Sequence, residues 1–405
     1  MHRVMEGVRV LEVAEYTFVP SAGAVLADWG ADVIKVEHPT RGDAQRGLFT
    51  VGGADNTGQI NFLMEHANRG KRSIGIDIQS PDGRALLYEL ARSSDVFLTN
   101  FLPGARRKLE IDVEHLRRVN PKIIYARGSA YGARGAEAEK GGYDSTVFWA
   151  RAGSGMGCKI PAHSEPPPPP GPAYGDSMGG MTIAGGIAAA LFARERTGEP
   201  AIVDISLLST GAWAMGCGLT GAMLAMGGKF KPPTGGALYM NPLVGTYPAK
   251  DGFVMLTMLQ GHVYWADLCA HVDRPDLTSD ARFATPEAFS AHSEDVKAEL
   301  RAVFALRTVA EWRTRLATLK GQWAPHQNLL MLSSDPQLHA NGLIVDVDAG
   351  DGSTFKLVSN PVQFDETPPE LRKGPEAGQH TEEILLERGI AWERIAELKK
   401  SGAIN

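Results

Sequence analysis

The chain has 405 residues and a formal net charge of −6, and 43% of its residues are hydrophobic. That length predicts about two or three domains, and the composition is typical of an ordinary globular protein with a sizeable core. The acidic balance gives no support for a nucleic-acid surface, and three cysteines without metal-ligand spacing argue against a disulfide framework and a metal site.

Alternating strands and helices are predicted from residue 8 to residue 126. Short β-branched runs predict strands at 8–13, 31–37, 73–78, 95–101 and 123–126. Between them, Pro20 or Ser21 begins one helix, and Ser80 caps another whose first residue is Pro81. This order implies parallel strands with right-handed crossovers, so we expect a doubly wound α/β domain. Because G-x-G-x-x-G is missing, the usual dinucleotide-binding function loses its main support.

Ligands of such sheets gather at the carboxyl ends of the strands. The residues that follow strands here are Asn100, Phe101, Gly104, Ser129 and Tyr131. Two basic clusters also lie beside predicted strands: Arg69, Lys71 and Arg72, and Arg106, Arg107 and Lys108. Each of these side chains alone is typical of a solvated surface. Together they are compatible with a phosphate site, so both interpretations stay open.

Asp176 lies in a Gly-rich segment, 172–181, between the Pro-rich loop 161–172 and an apolar stretch at 182–192. The stretch predicts a buried helix, so one interpretation makes Asp176 its N-cap. The other makes Asp176 a nucleophile that attacks an acyl group, with the neighbouring glycines donating N–H groups to an oxyanion. Spacing alone favours the cap.

The rest of the chain predicts a second, smaller α+β region. A strand at 201–207 precedes an apolar helix to about residue 226, and the Gly-rich break at 227–236 indicates a boundary or a mobile loop. Beyond it we expect a hairpin at 245–256 and helices at 261–272, 284–303 and 309–319. A strand pair at 343–347 and 354–358 and a helix capped by Thr381 complete the chain.

Segments along nearly the whole chain resemble the class III coenzyme A transferases. The matching segments are 7–11, 26–37, 68–74, 100–104, 175–177 and 378–381. No single segment is diagnostic, but the ordered set is specific. The family includes formyl-CoA and carnitine CoA-transferases and, as a branch, the α-methylacyl-CoA racemases.

The resemblance implies an architecture. A large Rossmann-like α/β domain is formed by residues 1–227 together with the C-terminal segment 336–405, and a smaller domain, 228–335, is inserted between them. The resemblance also implies an interlocked homodimer. Its substrates would be an acyl-CoA donor and a carboxylic acid acceptor, with CoA as a substrate moiety and no required cofactor or metal.

The resemblance raises the nucleophile interpretation of Asp176 above the cap. Asp176 would attack a CoA thioester to give an acyl–enzyme anhydride, the released CoA thiolate would form an enzyme–CoA thioester, and the acceptor acid would collect the CoA. The family's CoA-binding positions match Thr17, Phe18, His38, Ile76, Asp77, Ile78, Gln79, Asn100, Phe101, Lys108, Tyr143 and Asp144.

Several matching positions depart from the family's residue types. His38 and Lys108 stand where arginine is usual, so a phosphate would be held less directionally. Thr17 stands where formyl-CoA transferase has glutamine, which affects acyl recognition rather than CoA binding. The nearest candidate for that enzyme's Gly-rich flap is 234–236.

Two alternatives to a transferase remain. A racemase needs two bases, but Tyr143 replaces the racemase histidine, and the residues 258–261 contain no carboxylate. A phenol with an ordinary pKa of about 10 is a poor base at neutral pH, which favours a transferase. A non-catalytic acyl-CoA-binding protein would fit if Asp176 were only a cap.

The sequence says less about the cellular location of the protein and about the acyl group that it transfers. The N-terminus lacks an apolar signal core, and the apolar stretch at 183–192 is too short to span a bilayer, so we expect a cytoplasmic protein without a membrane segment. An apolar acyl pocket and an ordinary core are both compatible with Tyr16, Phe18, Met178, Met215, Met223, Met226, Tyr239 and Met240.

Overall fold

A computed structural model of the chain describes residues 3–48, 50–51, 54–55, 60–159, 163–229 and 241–405. These residues form two compact units, one of Met1–Thr220 with Pro336–Asn405 and the other of Gly221–Asp335. The candidate flap at 234–236 and the candidate pocket residues Tyr239 and Met240 lie outside the described residues.

The first unit is built on a six-stranded parallel sheet. Its strands in chain order, β1 to β6, are Arg9–Val13, Asp32–Glu37, Arg72–Gly75, Val96–Thr99, Ile124–Ser129 and Ile202–Ser206. In space they run β3-β2-β1-β4-β5-β6, the order of Rossmann-type folds. The predicted doubly wound α/β fold is therefore confirmed in its sheet, and its topological switch point lies between β1 and β4.

Helices cover both faces of this sheet. The helices α1 to α7 are Phe18–Asp28, Phe62–Asn68, Pro81–Arg92, Pro103–Lys108, Val113–Val119, Tyr174–Thr197 and Leu207–Ala214. The next helix, α8, is Gly216–Met226 and spans the division between the two units at Thr220. One face buries α1 and α6 in a core that contains Leu26 and Ile187. The opposite face buries α3 and α5 in a core that contains Leu87 and Leu116. Parallel strands with both faces covered explain their unbroken apolar sequence.

Shorter elements connect these helices and strands. They are a 3₁₀ turn at Ala44–Gly47, a two-residue strand pair at Thr50–Val51 and Ala54–Asp55, a π-helical segment at Ser145–Arg151 and a helical turn at Ser154–Gly157.

The C-terminal segment returns to the edge strand β3. It contains Pro336–Ala340, the antiparallel strands Ile344–Asp348 and Thr354–Val358, and the helices Thr381–Glu387 and Trp392–Lys400. Ile76 bridges Ile404, and the amide of Asp77 donates to the carbonyl of Ala403 at 2.8 Å. Ile384 and Leu398 complete the core beneath β3, so the edge of the sheet is covered by the end of the chain.

Two predicted helix starts are wrong and one is confirmed. α1 begins at Phe18, before Pro20 or Ser21, because a proline without an N–H is tolerated in the first turn. Thr381 is the first helical residue rather than the cap, since its hydroxyl donates to the Gly378 carbonyl at 2.7 Å. Ser80 caps α3 by accepting from Gly83 at 3.0 Å, as predicted.

Glycines on α6 let it approach α1 closely. A Cβ atom at Gly179 would lie 2.2 Å from the Phe18 ring, and one at Gly180 would lie 2.5 Å from Ser21. α6 has 24 residues and, by length and composition, is apolar enough to cross a membrane. Buried core helices satisfy the same criterion, and Ile183, Ala184 and Ile187 of this helix are fully buried.

The second unit has its own core. A three-stranded antiparallel sheet is formed by Gln322–Pro325, Phe253–Thr257 and Val244–Pro248, which includes the predicted hairpin. Its helical segments are Gly261–His271, Pro275–Thr278, Pro286–Ala291, Ser293–Phe304, Val309–Arg315 and Leu329–Ser333. The single helix predicted at 284–303 is wrong: it is divided at His292, which caps the second part.

Candidate active site

Asp176 is the third residue of α6, so of its two interpretations the N-cap is wrong. The helix starts at Tyr174, after Ala173, whose φ of 57° places it in the left-handed region. The carboxylate that caps the helix is Asp144, whose Oδ1 atom accepts from the Gly175 amide at 3.1 Å. Among the described residues, no side-chain hydrogen bond or ion pair engages Asp176. Its carboxylate is therefore left without a structural partner.

The surroundings of Asp176 raise its pKa. Burial is the larger cause and the charge of Asp144 the second, and together they raise the pKa to about 7. Burial also raises the pKa of Asp144, against the opposing effect of the Gly175 and Tyr174 amides. A carboxylate with an elevated pKa in a cleft is a candidate functional group, because its protonation changes near neutral pH.

Asp176 faces a cleft of about 630 Å³, which we call the nucleophile cleft. Its walls come from the segments that follow β1, β4 and β5 and from the turn before Asp144. They consist of Tyr16, Phe18, Asn100–Pro103, Arg106, Gly128–Tyr131, Lys140–Tyr143, Thr146, Asp176 and Leu207. Among these described residues Asp176 is the one carboxylate, and none is a histidine.

A second, smaller pocket lies at the ends of β1, β2 and β3. We call it the switch-point pocket; its volume is about 70 Å³. It is lined by Val13–Glu15, Val36–His38, Arg41, Asp43, Ile76–Gln79, Phe101 and Leu109. Phe101 lines both this pocket and the nucleophile cleft, so the two are neighbouring regions of one sheet edge.

Asn100 fixes the chain at the switch point. Its Oδ1 atom accepts from the Glu15 amide at 3.1 Å, and its Nδ2 atom donates to the Glu15 carbonyl at 2.6 Å. These bonds join the segment after β1 to the segment after β4. Because Asn100 follows a strand, the sequence predicted it as a site residue. Its two hydrogen bonds with Glu15 were not predicted, because the two residues meet only in the folded sheet.

The structure brings most of the predicted CoA contacts to these two sites and leaves three outside. His38, Ile76, Asp77, Ile78, Gln79 and Phe101 line the switch-point pocket, while Phe18, Asn100, Phe101 and Tyr143 line the nucleophile cleft. Thr17 is buried and donates to Gln45 at 2.6 Å. Asp144 caps α6, and Lys108 is exposed on α4. Their assignment to CoA stays a prediction.

His38 and Arg41 form a basic corner of the switch-point pocket. The Nδ1 atom of His38 accepts from the amides of Thr40 at 3.2 Å and Arg41 at 3.4 Å. In the neutral imidazole the proton therefore lies on Nε2, which is a hydrogen-bond donor. Arg41 is exposed and lines the same pocket. Sequence inspection missed Arg41, and its proximity to His38 in the turn after β2 was the available signal.

The basic clusters are paired with carboxylates rather than collected around a phosphate. Lys71 is buried and bonds Glu12 at 2.7 Å, and Arg69 bonds Asp28 at 2.7 Å. Further pairs are Arg72 with Asp32, Arg106 with Asp112, and Arg107 with Glu139. The solvated-surface interpretation is wrong for Arg69, Lys71 and Arg106, because all three side chains are buried in ion pairs. Lys108 has no recorded ion pair within the described part of the chain.

Ser177 anchors the turn that carries Asp176 from its other side. The Ser177 hydroxyl donates to the Ala173 carbonyl at 2.9 Å. The Nε2 atom of His66 lies 2.9 Å from the hydroxyl oxygen of Ser177. Burial, followed by the charge of Arg69, lowers the pKa of His66 to about 4. A neutral His66 can therefore donate from Nε2 to Ser177, which links α2 to the start of α6.

No cluster of three or more His, Cys, Asp or Glu side chains suited to a metal ion occurs within the described ranges. The site thus consists of a Rossmann-type sheet edge, a partner-free carboxylate and a cleft with apolar and basic walls. Such an arrangement suits covalent catalysis by a carboxylate on a carbonyl compound.

Comparison with known proteins identifies the class. The model of CoA-transferase family III matches residues 5–381, and the chain belongs to this family. The protein is a CoA-transferase.

Relatives of known name are also CoA-transferases. The chain is 29% identical to (R)-2-hydroxy-4-methylpentanoate CoA-transferase from Clostridioides difficile over 99% of both chains. It is 33% identical to succinate–glutarate CoA-transferase from Agrobacterium fabrum over 95% of both. A CAIB/BAIF family protein from Brucella suis has a similar solved structure, with a TM-score of 0.80 and 27% identity over 95% of this chain and 99% of that one.

Proposed function

We propose that Asp176 is the nucleophile through which this CoA-transferase moves CoA between carboxylic acids. A carboxylate oxygen of Asp176 attacks the thioester carbonyl carbon, the C–S bond breaks, and an acyl–aspartyl anhydride and CoA thiolate result. The thiolate attacks the aspartyl carbonyl, which releases the donor acid and leaves an enzyme–CoA thioester. The acceptor carboxylate then attacks the aspartyl thioester, the C–S bond breaks, and a mixed anhydride and CoA thiolate form. The thiolate attacks the acceptor acyl carbonyl, which yields the new acyl-CoA and releases the Asp176 carboxylate unchanged.

The observation that carries this proposal is the carboxylate of Asp176, which has no hydrogen-bond or ion-pair partner in the part of the chain that the structure describes. Asp144 already caps α6, so the helix does not need Asp176 for its stability. Burial raises its pKa to about 7, and a more basic carboxylate is the better nucleophile toward a carbonyl. Both features are expected of a reacting group and not of a cap.

CoA would lie along the sheet edge. The switch-point pocket offers the donors His38 and Arg41 and the backbone of Ile76–Gln79, which suits a phosphorylated nucleotide. The nucleophile cleft shares Phe101 with it and holds Asp176. In this arrangement the pantetheine chain would pass Phe101 and deliver the thioester to Asp176.

The acceptor would be a carboxylic acid with an apolar body. Phe18, Leu102 and Leu207 supply apolar walls to the nucleophile cleft. Its cations are already paired with carboxylates, Arg106 with Asp112 and Lys140 with Glu137. The names of relatives include both kinds of acid. 2-Hydroxy-4-methylpentanoate and phenyllactate have apolar bodies, whereas succinate and glutarate are dicarboxylates, and the apolar walls of the cleft favour the first kind.

An α-methylacyl-CoA racemase is the weaker alternative. Racemisation needs a second base near the substrate α-carbon. The described residues of the cleft include no histidine and no carboxylate beyond Asp176, and Tyr143 occupies the place of the racemase imidazole. A non-catalytic acyl-CoA-binding protein loses its support because Asp176 is not the cap.

The predicted homodimer is part of this proposal. Large apolar side chains are exposed on the first unit, including Phe192 at 65% and Trp213 at 86%. Exposed apolar side chains are candidates for burial in a subunit interface. We propose a cytoplasmic homodimer without a membrane segment, in which Gly221–Asp335 is an inserted domain. Light scattering of the purified protein measures its oligomeric state.

Substitution of Asp176 by Asn tests the function. Asn removes the charge while keeping the shape, and Asp144 still caps the helix, so the fold should survive and CoA transfer to a panel of acids should vanish. Retained transfer would contradict the nucleophile. Deuterium uptake at the α-carbon of an acyl-CoA in heavy water, without transfer, would favour the racemase.

A further inference from the structure

Tyr16 has a strained backbone at the mouth of the nucleophile cleft. Its φ is 64°, in the left-handed region that non-glycine residues rarely adopt. The conformation is held by Asp43, whose Oδ1 atom accepts from the Tyr16 amide at 3.0 Å, and by the bonds between Glu15 and Asn100 on the preceding residue. Backbone strain that is held by neighbouring residues is most common at functional sites. The Tyr16 side chain is therefore a candidate for a functional role.

The Tyr16 ring packs against Tyr143. Their ring centroids lie 5.7 Å apart at an angle of 84°. Hydrogen bonding to Tyr143, followed by burial, raises the pKa of the Tyr16 phenol to about 12. Tyr16 therefore keeps its proton at neutral pH. The Tyr143 hydroxyl donates to no acceptor among the described residues, so it can donate to a ligand. Tyr143 is 61% exposed and lines the nucleophile cleft.

Tyr143 is close to the nucleophile through a short, fixed path. It directly precedes Asp144, whose carboxylate accepts from Gly175 at 3.1 Å, and Gly175 directly precedes Asp176. Tyr143 and Asp176 are thus the sequence neighbours of Asp144 and Gly175, which are hydrogen-bonded to each other. Both line the same cleft.

Two backbone donors beside Asp176 are already occupied. The amides of Tyr174 and Gly175 at the start of α6 are engaged by Asp144. In the cleft walls, Asn100 donates to the Glu15 carbonyl and Thr146 to the Tyr143 carbonyl. The amide of one predicted glycine, Gly175, is therefore engaged. Tyr143 directly precedes Asp144, and its phenol lines the nucleophile cleft.

We propose that the hydroxyl of Tyr143 donates a hydrogen bond to the oxygen of the carbonyl that Asp176 attacks, and that Tyr16 positions it. The inference rests on the proposed function of Asp176. As the C–O bond to Asp176 forms, the carbonyl π electrons move to its oxygen, which accepts the hydrogen bond. When the intermediate collapses, the C–S bond breaks and CoA leaves as thiolate. The phenol keeps its proton throughout.

Three variants test this role: Tyr143→Phe, Tyr16→Phe and the double variant. Removal of one oxyanion donor lowers kcat by about 100-fold or more, so we expect that loss for Tyr143→Phe with KM changed by less than about threefold. Tyr16→Phe should lower kcat by about tenfold. If Tyr16 acts through Tyr143, the double variant should be no slower than Tyr143→Phe.

A thioether analogue of the acyl-CoA, with a methylene in place of the carbonyl, separates binding from catalysis. Its Kd for Tyr143→Phe should stay within about twofold of wild type, because the analogue lacks the oxygen that Tyr143 contacts. Tyr88→Phe is the control, since that phenol donates to the Glu110 carbonyl at 2.7 Å and lies outside both sites; its kcat should equal that of wild type.

The outcomes separate the two proposals. If Asp176→Asn abolishes transfer but Tyr143→Phe turns over at the wild-type rate, the role of Tyr143 is overturned and the nucleophile stands. A thioether Kd that weakens as much as kcat falls would also overturn it, because Tyr143 would then bind another part of the donor. Transfer that survives Asp176→Asn would remove the basis of both.

Discussion

The Oδ1 atom of Asp144 accepts a hydrogen bond from the Gly175 amide at 3.1 Å, and this contact frees Asp176. A helix N-terminus with one nearby aspartate would be capped by that residue. Here a second carboxylate, 31 residues upstream of Gly175, occupies the helix end. Asp176 is largely buried and lies near the charge of Asp144, and no partner among the described residues compensates for either effect. Burial, followed by the charge of Asp144, raises its pKa to about 7.

The rate of transfer should fall on the acid side of neutrality. A nucleophilic Asp176 must be ionised, so kcat/KM should drop about tenfold per pH unit below its pKa of about 7. Steady-state rates between pH 5 and pH 9, at saturating acceptor, measure this limb. Asp144→Asn keeps an acceptor for Gly175 but removes the charge, so its limb should move to lower pH. A wild-type profile that is flat down to pH 5 would refute the assignment.

Asp176→Asn should stabilise the protein at alkaline pH. The folded pKa of about 7 lies above the ordinary value for Asp, so the stabilisation from the protonated carboxyl is present at low pH and is lost as pH rises from about 4 to about 7. At pH 8 the variant should therefore gain about 1–3 kcal/mol in free energy of unfolding, allowing for partial solvent exposure. Urea denaturation at pH 8 and pH 4 measures the difference, which should shrink at the lower pH. An equal effect at both would count against the raised pKa.

Gly175 should not tolerate a side chain. A Cβ atom there would lie 2.3 Å from Phe148 and 2.6 Å from the Asp144 carboxylate. We expect Gly175→Ala to cost about 1–3 kcal/mol through overpacking and to lower activity by displacing the start of α6. Thermal denaturation and transfer rates measure both effects.

Gly185→Ala on the same helix is the matched control. No atom lies within 4 Å of a Cβ placed at Gly185, so this change should be neutral or stabilise by up to about 1 kcal/mol through helix propensity. If both variants behave alike, helix propensity rather than the Asp144 contact would explain the result for Gly175.

Lys71 should prove structural. Its ammonium group is buried against Glu12 at 2.7 Å and also donates to the Pro20 carbonyl at 2.8 Å. Lys71→Met leaves the buried Glu12 carboxylate with one cation fewer. Loss of one partner of a buried ion pair lowers the free energy of unfolding by about 3–5 kcal/mol. Arg107→Met is the control, because its pair with Glu139 is exposed and is worth less than about 1 kcal/mol. Similar losses of unfolding free energy in the two variants would contradict this assignment.

Local sequence patterns predicted the strands and several helix ends, whereas the site depended on distant contacts. β-branched runs such as Val96–Thr99 are strands because local propensity and burial agree. The Asp176 cap failed because the competing carboxylate, Asp144, arrives from another loop. Lys71 was misplaced for the same reason, since Glu12 lies 59 residues away. Charge pairing across the sheet has no local signature in one sequence.

The most direct test of the account is the covalent intermediate on Asp176. The protein is mixed with an acyl-CoA, trapped with borohydride or hydroxylamine, digested and mapped by mass spectrometry, with Asp176→Asn treated in parallel. We expect reduction or hydroxamate formation at Asp176 in the wild-type protein and none in the variant. A modified residue elsewhere, or equal modification of the variant, would contradict it.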